Sequence, residues 1–170
     1  MENKVSVAVA SADNNWEFSV ERNLRIRRWH AYRIAVDCME EWWWHPSSRP
    51  VANIVTHLAT GNGFTATTEE PAIVQEGMIL RVRPGWHFEM TDAFTLGARP
   101  ATPSMVGTWF FKSMIHGYTT HVATIRHFSE ADYQRNLALG LEEGWNNAAD
   151  RLVRLCEEGI GAIKWHRMRN

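Results

Sequence analysis

The amino-acid sequence predicts an α+β domain in which a meander of antiparallel strands is followed by one long C-terminal helix. A segment near the N-terminus alternates between apolar and polar residues, the middle of the chain is strand-like with regular turn signals, and the C-terminal part carries one apolar stripe at helical spacing. With 170 residues, of which 45% are hydrophobic and 22% charged, the composition is typical of a single globular domain.

The first predicted elements are one strand and two short helices. Trp16, Phe18 and Val20 fall on one face of residues 16–23, as in a half-buried strand. From about residue 28 to 44 there is no Gly or Pro, and apolar residues recur at helical spacing up to His45 and Pro46. We expect two short helices here, with a break near Asp37.

Six further strands are expected in the middle of the chain, at residues 51–58, 64–68, 73–82, 86–91, 104–115 and 118–128. They are separated by residues that tolerate tight turns, notably at 60–63, 83–86 and 116–117. Residues 96–103 contain two Pro and one Gly, and we expect them to form a longer loop that could act as a mobile lip.

The C-terminal helix is predicted to start at Ser129, whose side chain can cap it, and to end at Gly159 and Gly161. Its apolar stripe comprises Leu137, Leu141, Trp145, Ala148, Leu152 and Leu155. The expected organisation is a flexible N-terminus at 1–15, one domain at 16–158 and a short basic tail at 159–170.

Charge and cysteine content exclude several classes of protein. Lys and Arg number 18 and Asp and Glu 19, so the formal net charge is −1, and we expect no nucleic-acid partner even for the arginine cluster at residues 22–33. The two cysteines lack metal-pair spacing and are expected to be reduced thiols in a cytoplasmic protein. No apolar run is long enough for a membrane span.

Several short motifs, in their order and spacing, resemble one known family. They are Pro84-Gly85, Met90-Thr91, Asp92-Ala93-Phe94, Arg126-His127, Ser129-Glu130-Ala131-Asp132, Gly140-Leu141-Glu142-Glu143-Gly144-Trp145 and the Trp43-Trp44 pair. Together they resemble the activator-of-heat-shock-protein-ATPase-like domains of the START-like, birch-allergen-like (polyketide cyclase) superfamily. The resemblance covers about residues 16–156.

The resemblance implies a helix-grip fold, in which a curved, antiparallel, seven-stranded sheet wraps around the long helix. It also implies a cavity between sheet and helix that holds a hydrophobic ligand such as a lipid, and for the chaperone activators a role in the stress response. Those activators carry an additional N-terminal domain, so direct ATPase stimulation is not expected here. The predicted partner is therefore a small hydrophobic or aromatic molecule, with a homodimer as a further possibility.

The pocket candidates are apolar residues, with one arginine. They are Trp43, Trp44, Phe64, Met78, Leu80, Phe88, Trp109, Phe111, Arg126, Leu141, Trp145 and Ala148. Strand parity does not decide which faces of the strands are concave. Residues 42–44 are three successive tryptophans, and since successive helical residues point about 100° apart, we expect at least one ring to be exposed or to face a cavity. Packing without ligand contact is the simpler interpretation of Trp145.

Polar residues allow a second interpretation, a cyclase, dehydratase or hydrolase-like enzyme that uses the same cavity. It requires at least two polar groups inside the pocket, for instance Arg126 with Asp92 or His121. Glu89 and Asp150 are further acid or base candidates, although solvated salt bridges are their more usual role. His121 and His127 lie too far apart on one strand to share an ion, so neither a metal nor another cofactor is expected. A chaperone accessory protein is the third hypothesis.

Overall fold

The computed structural model of the chain describes residues 16–97, 99–101 and 105–167, with side chains up to residue 158. The predicted flexible segment 1–15 and all side chains of the predicted basic tail at 159–170 therefore lie outside the described part. Within it the protein is α+β, with a seven-stranded antiparallel sheet, two short helices and a long C-terminal helix, as the sequence predicts.

The strands of the large sheet are β1 (Glu17–Leu24), β2 (Val51–Thr56), β3 (Gly63–Thr68), β4 (Val74–Arg83), β5 (His87–Thr91), β8 (Met105–Ser113) and β9 (Thr119–His127). Their order is β1-β9-β8-β5-β4-β3-β2. Strands of this sheet that follow one another along the chain are therefore neighbours, except β1 and β2, which form its two edges. The predicted loop at 96–103 instead contributes to a small hairpin of β6 (Phe94–Thr95) and β7 (Arg99–Pro100).

The helices α1 (Arg28–Asp37) and α2 (Met39–Trp42) meet at Cys38, close to the predicted break. The helix α2 ends at Trp42 because the backbone of Trp43 is extended, with φ −56° and ψ 140°. Trp43 and Trp44 are not helical, so the 100° spacing of successive helical residues does not apply to the three tryptophans. All three rings are buried, each with 5% exposure or less.

The predicted single C-terminal helix is two helices, α3 (Glu130–Ala138) and α4 (Leu141–Arg167). Ser129 caps α3 as predicted, since its Oγ accepts the Asp132 N–H at 3.1 Å. Gly140 interrupts the helix with φ +85°, a left-handed conformation that glycine adopts without strain. At the other end α4 runs on through Gly159 and Gly161, where the sequence predicted its end.

The core lies between the sheet and the helices α1, α2 and α4. The predicted stripe faces it, because Leu141, Trp145, Ala148, Leu152 and Leu155 are all buried. The helix α4 packs mainly on β1, with α1 and α2 along its side. The helix α2 contacts both α4 and β2, the edge strand opposite β1. The candidate site lies around α2 and the two tryptophans that follow it.

Candidate functional site

Most predicted pocket residues are buried in the core. They are Trp43, Trp44, Phe64, Phe88, Trp109, Phe111, Leu141, Trp145 and Ala148. The inward positions of β3 and β8 follow strand parity, so Phe64 and Ala66 share a face, as do Met105, Gly107, Trp109 and Phe111. The structure thus decides which face of each strand is the inner one, a choice that strand parity alone leaves open.

Met78 and Leu80 are exceptions, because β4 contains a β-bulge between Ile79 and Arg81. Before the bulge Ile79 is the buried residue, and after it Val82 packs against the core. Leu80 is exposed and Met78 only half-buried, so neither lies on the inner face that the sequence predicted for them. A bulge shifts the alternation by one residue, which inverts any assignment made by parity across it.

Arg126 also lies away from the core, on the outer face of β9. Its Nε donates to Glu17 Oε2 at 2.7 Å, and the arginine side chain is 51% exposed. The proposed pairing of Arg126 with Asp92 or His121 is therefore not formed. The buried arginine of this region is Arg22 on β1, which donates to Asp150 Oδ1 at 2.7 Å and to Asn146 Oδ1 at 3.1 Å.

Beneath α4 the space is filled by a tryptophan cluster, which we define as Trp43, Trp109 and Trp145. Their ring centroids are 4.9 Å (Trp43 to Trp109), 5.1 Å (Trp43 to Trp145) and 5.4 Å (Trp109 to Trp145) apart. The Trp44 indole lies directly against Gly144 on α4. Trp145 lines neither of the two spaces described below.

Two indole N–H groups of the tryptophan cluster are buried without a hydrogen-bond partner, those of Trp109 and Trp145. Trp43 differs, since its Nε1 donates to Gln75 Oε1 at 3.2 Å. A buried unpaired donor is costly, so a polar atom reaching either of the first two groups would gain a hydrogen bond at a desolvated site.

An inner cavity of about 20 Å³ lies on the sheet side of the cluster. Its walls are Trp43, Phe64, Met90, Met105, Gly107 and Trp109, with a polar side formed by Gln75, Glu76, Gly77, Thr91 and Asp92. The polar residues that converge here are thus different from the pair proposed from the sequence, although Asp92 belongs to both sets.

Asp92 is the titratable group of the inner cavity whose pKa is shifted by burial. Burial raises its pKa to about 6, against which the N–H of Met105, donated to Oδ1 at 2.7 Å, acts in the opposite direction. Asp92 therefore exchanges a proton near neutral pH, as an acid or base group must. Of the other candidate carboxylates, Glu89 lies 3.6 Å from Arg81, and Asp150 is 56% exposed beside Arg22.

A larger outer groove of about 360 Å³ opens between α2, α4 and the start of β2. It is lined by Glu40, Glu41, Trp43, Trp44, His45, Ser48, Arg49, Pro50, Val51, Glu69, Gly144, Asn147 and Arg151. Arg151 holds the groove's inner wall in place, because its guanidinium donates to the carbonyls of Trp42 and Trp43 at 3.0 and 3.2 Å. Trp43 is the residue that lines both this groove and the inner cavity.

The polar groove residues, such as Arg151, Glu69 and Asn147, were not predicted from the sequence. These residues are far apart in the sequence, and each one alone has the polarity of an ordinary surface residue. The one available signal was that Arg151 falls beside the apolar stripe of α4, one position before buried Leu152.

His121 and Cys156 are buried groups that take no part in these cavities. Burial lowers the pKa of His121 to about 4, and its Nδ1 donates to the Phe110 carbonyl at 3.1 Å. Burial raises the pKa of the Cys156 thiol to about 12, so it stays protonated. Among the described residues, no three His, Cys, Asp or Glu side chains converge as metal ligands, and no helix is long and apolar enough to span a membrane.

Solved structures share this fold. A protein of Nitrosomonas europaea matches with a TM-score of 0.74 and 19% identity, over 88% of this chain and 97% of its own. A protein of Arthrobacter aurescens, solved by NMR, matches with 0.72 and 18%, over 90% and 94%. A protein of Mycobacterium smegmatis matches with 0.67 and 21%, over 88% and 96%.

At these identities the likeness establishes the fold and carries no function. No protein-family model matches the sequence, and no curated protein matches it.

Proposed function

We propose that the protein binds a small hydrophobic, ring-containing molecule, and that Trp43 forms the movable wall between its outer groove and its inner cavity. The observation that carries this proposal is that the Trp43 ring lines both spaces. The proposal also agrees with the resemblance to activator-of-heat-shock-protein-ATPase-like, START-like domains, whose relatives bind hydrophobic ligands between sheet and helix.

The volumes favour entry from the outside. The groove of about 360 Å³ falls within the range of about 300–1,000 Å³ typical of ligand sites, whereas the inner cavity of about 20 Å³ has room for about one water. A ligand would first occupy the groove against Trp43 and Trp44. Rotation of Trp43 would break its hydrogen bond to Gln75 and its ring contacts with Trp109 and Trp145, and would then join the two spaces.

The walls indicate the chemistry of the ligand. Aromatic rings on three sides of Trp43, from Phe64, Trp109 and Trp145, favour a flat apolar body. The unpaired indole N–H group of Trp109, which lines the inner cavity, favours a hydrogen-bond acceptor on that body. Three glutamates at the groove rim, Glu40, Glu41 and Glu69, disfavour a strongly anionic ligand.

An enzyme that uses the same spaces is the second candidate, and Asp92 is the observation that favours it. A carboxyl group with a pKa of about 6 beside an apolar cavity is suited to proton transfer. Glu76 and Gln75 are the polar side chains placed to act with it. The chaperone accessory role has no comparable support from a particular residue.

A ligand survey by native mass spectrometry, with fatty acids, aromatic compounds and polyketide-like compounds, tests the proposal. Asn147→Trp places a large ring on the exposed groove wall and is expected to weaken binding at least tenfold. Glu142→Trp, exposed on α4 outside the groove, is the matched control and is expected to leave binding unchanged. Absence of any bound compound, or equal binding to both variants, would contradict the proposal.

A further inference from the structure

Three loops meet at the end of the sheet opposite the outer groove. Register places Leu24 of β1 and Ser113 of β8 opposite Thr119, and His87 of β5 opposite Phe110. The β1–α1 connection, the β4–β5 turn and the β8–β9 turn therefore share one end of the molecule. We call this the basic end and define it as residues 25–29, 83–86 and 112–118.

Side-chain contacts hold these loops together. The Arg28 guanidinium lies 3.7 Å from the centroid of the Trp86 ring, and that of Arg83 lies 4.7 Å from it. The Trp29 ring packs directly on Gly85, where a Cβ would lie 2.8 Å from Trp29 Cζ3. Between the first and third loops a cleft of about 410 Å³ is lined by Arg27, Arg28, Trp29, Ser113, Met114, Gly117 and Tyr118.

The basic end carries charge of one sign. It contains Arg25, Arg27, Arg28, Arg83 and Lys112, and no Asp or Glu. Since the whole chain has a net charge of −1, the remainder must carry −6. Among the described side chains, none of these five cations lies within salt-bridge distance of a carboxylate, and nearby Glu89 is paired with Arg81. The charge separation is therefore built into the fold.

The same end exposes large apolar side chains. Ile115 is 79% exposed, Trp29 52%, Met114 and Tyr118 48% each, and Trp86 40%. Isolated exposed hydrophobic residues are ordinary, but five within one cluster of loops, ringed by cations, are typical of proteins that bind at the surface of a bilayer. There the apolar tips enter the headgroup region while the cations meet anionic lipids.

The orientation of the rings favours a membrane over a nucleic acid. Base stacking requires an open aromatic face. Two guanidinium groups lie over Trp86, and Trp29 packs against Gly85 and stacks on Tyr32 with centroids 6.2 Å apart. Ile115, the most exposed of the five apolar side chains at this end, has no aromatic face, but its aliphatic side chain suits insertion among lipid chains.

We propose that the basic end docks the protein peripherally on the anionic surface of a lipid bilayer. Because the outer groove lies at the opposite end of the sheet, this docking leaves the groove open to solution. The proposal is independent of the ligand site, and each can fail without the other.

Co-sedimentation with vesicles tests it. The protein is expected to bind vesicles of equimolar phosphatidylserine and phosphatidylcholine, to bind pure phosphatidylcholine vesicles at least tenfold more weakly, and to be released by high salt. Arg25→Ala with Arg27→Ala is expected to lower partitioning about 25-fold, at about fivefold per cation. Ile115→Ser with Met114→Ser is expected to lower it at unchanged net charge.

The matched control is Arg126→Ala with Arg135→Ala, which removes two exposed arginines elsewhere and is expected to change partitioning less than threefold. No binding to the anionic vesicles, or an equal loss in the control variant, would overturn the proposal. So would preferential binding of a single-stranded oligonucleotide over the vesicles. Circular dichroism of each variant establishes that it is folded.

Discussion

The two ends of the seven-stranded sheet use tryptophan in different ways. At the groove end Trp43 and Trp44 are buried between α4 and the sheet, and the groove rim carries three glutamates and two arginines. At the basic end Trp29 and Trp86 are exposed, and the charge is positive only. The same residue type is thus buried in the wall of the groove at one end and exposed at the surface at the other. Its environment, and not its identity, determines the role.

The largest expected difference between the ends is in stability. Trp109→Ala removes a ring that packs on Trp43, Trp145 and Phe88, and is expected to lower the free energy of unfolding by about 3–5 kcal/mol. Trp86→Ala, at the basic end, is expected to cost about 1 kcal/mol or less, mostly through its cation-π contacts. Urea unfolding followed by circular dichroism measures both, and equal losses would refute the distinction.

The pH dependence of stability sharpens the comparison at the inner cavity. Burial raises the folded pKa of Asp92 from 3.8 to about 6, so the folded state favours the protonated form. Its contribution is therefore most favourable below about pH 4 and is lost as the pH rises through about 6. Asp92→Asn has no carboxyl group to ionise. Relative to the wild type it is therefore expected to gain free energy of unfolding as the pH rises from about 4 to about 6, by up to about 3 kcal/mol at neutral pH.

The difference between variant and wild type is the quantity to measure in this experiment. His121 acts in the opposite direction, because its folded pKa is lowered to about 4 and it costs stability as the pH falls below 6.5. That contribution is common to both proteins and cancels. Asp37→Asn, at an exposed carboxylate paired with Arg33, is the control for the loss of one negative charge. A gain that stays constant from acid to neutral pH would contradict the account of Asp92.

The close approach of Trp44 to α4 gives a smaller expected effect. A Cβ at Gly144 would collide with the Trp44 indole, so Gly144→Ala is expected to displace that ring and cost about 1–3 kcal/mol. This loss would occur although alanine favours a helix by about 1 kcal/mol over glycine. Asn147→Ala, on the exposed groove wall, is expected to change stability by about 0.5 kcal/mol or less. Thermal denaturation compares the two variants. A Gly144→Ala variant more stable than the wild type would show that the Trp44 ring moves aside at little cost in free energy.

Local pattern predicted most of the fold because each strand has its own turn signal and its own alternation. It failed where a neighbouring element decides the geometry. The bulge after Ile79 depends on pairing with β5, and the burial of Trp43 and Trp44 depends on α2 ending at Trp42. The groove was not predicted because Glu69, Asn147 and Arg151 converge only in three dimensions. Trp43 was predicted as a wall residue, but its position between two spaces was not.

The smallest expected effect concerns Arg126, the one charged residue among the predicted pocket candidates. It forms an exposed pair with Glu17, and such pairs contribute about 0–1 kcal/mol, so Arg126→Ala is expected to change stability within that range and to leave ligand binding unaltered. Arg22→Ala, on the neighbouring strand, removes a buried cation bonded to Asp150 and Asn146 and is expected to cost clearly more. Urea unfolding of both variants decides the matter. Arg126 lies on the outer face of β9, where the pair is solvated. A loss above about 2 kcal/mol for Arg126→Ala is typical of a buried, desolvated pair and would contradict this account.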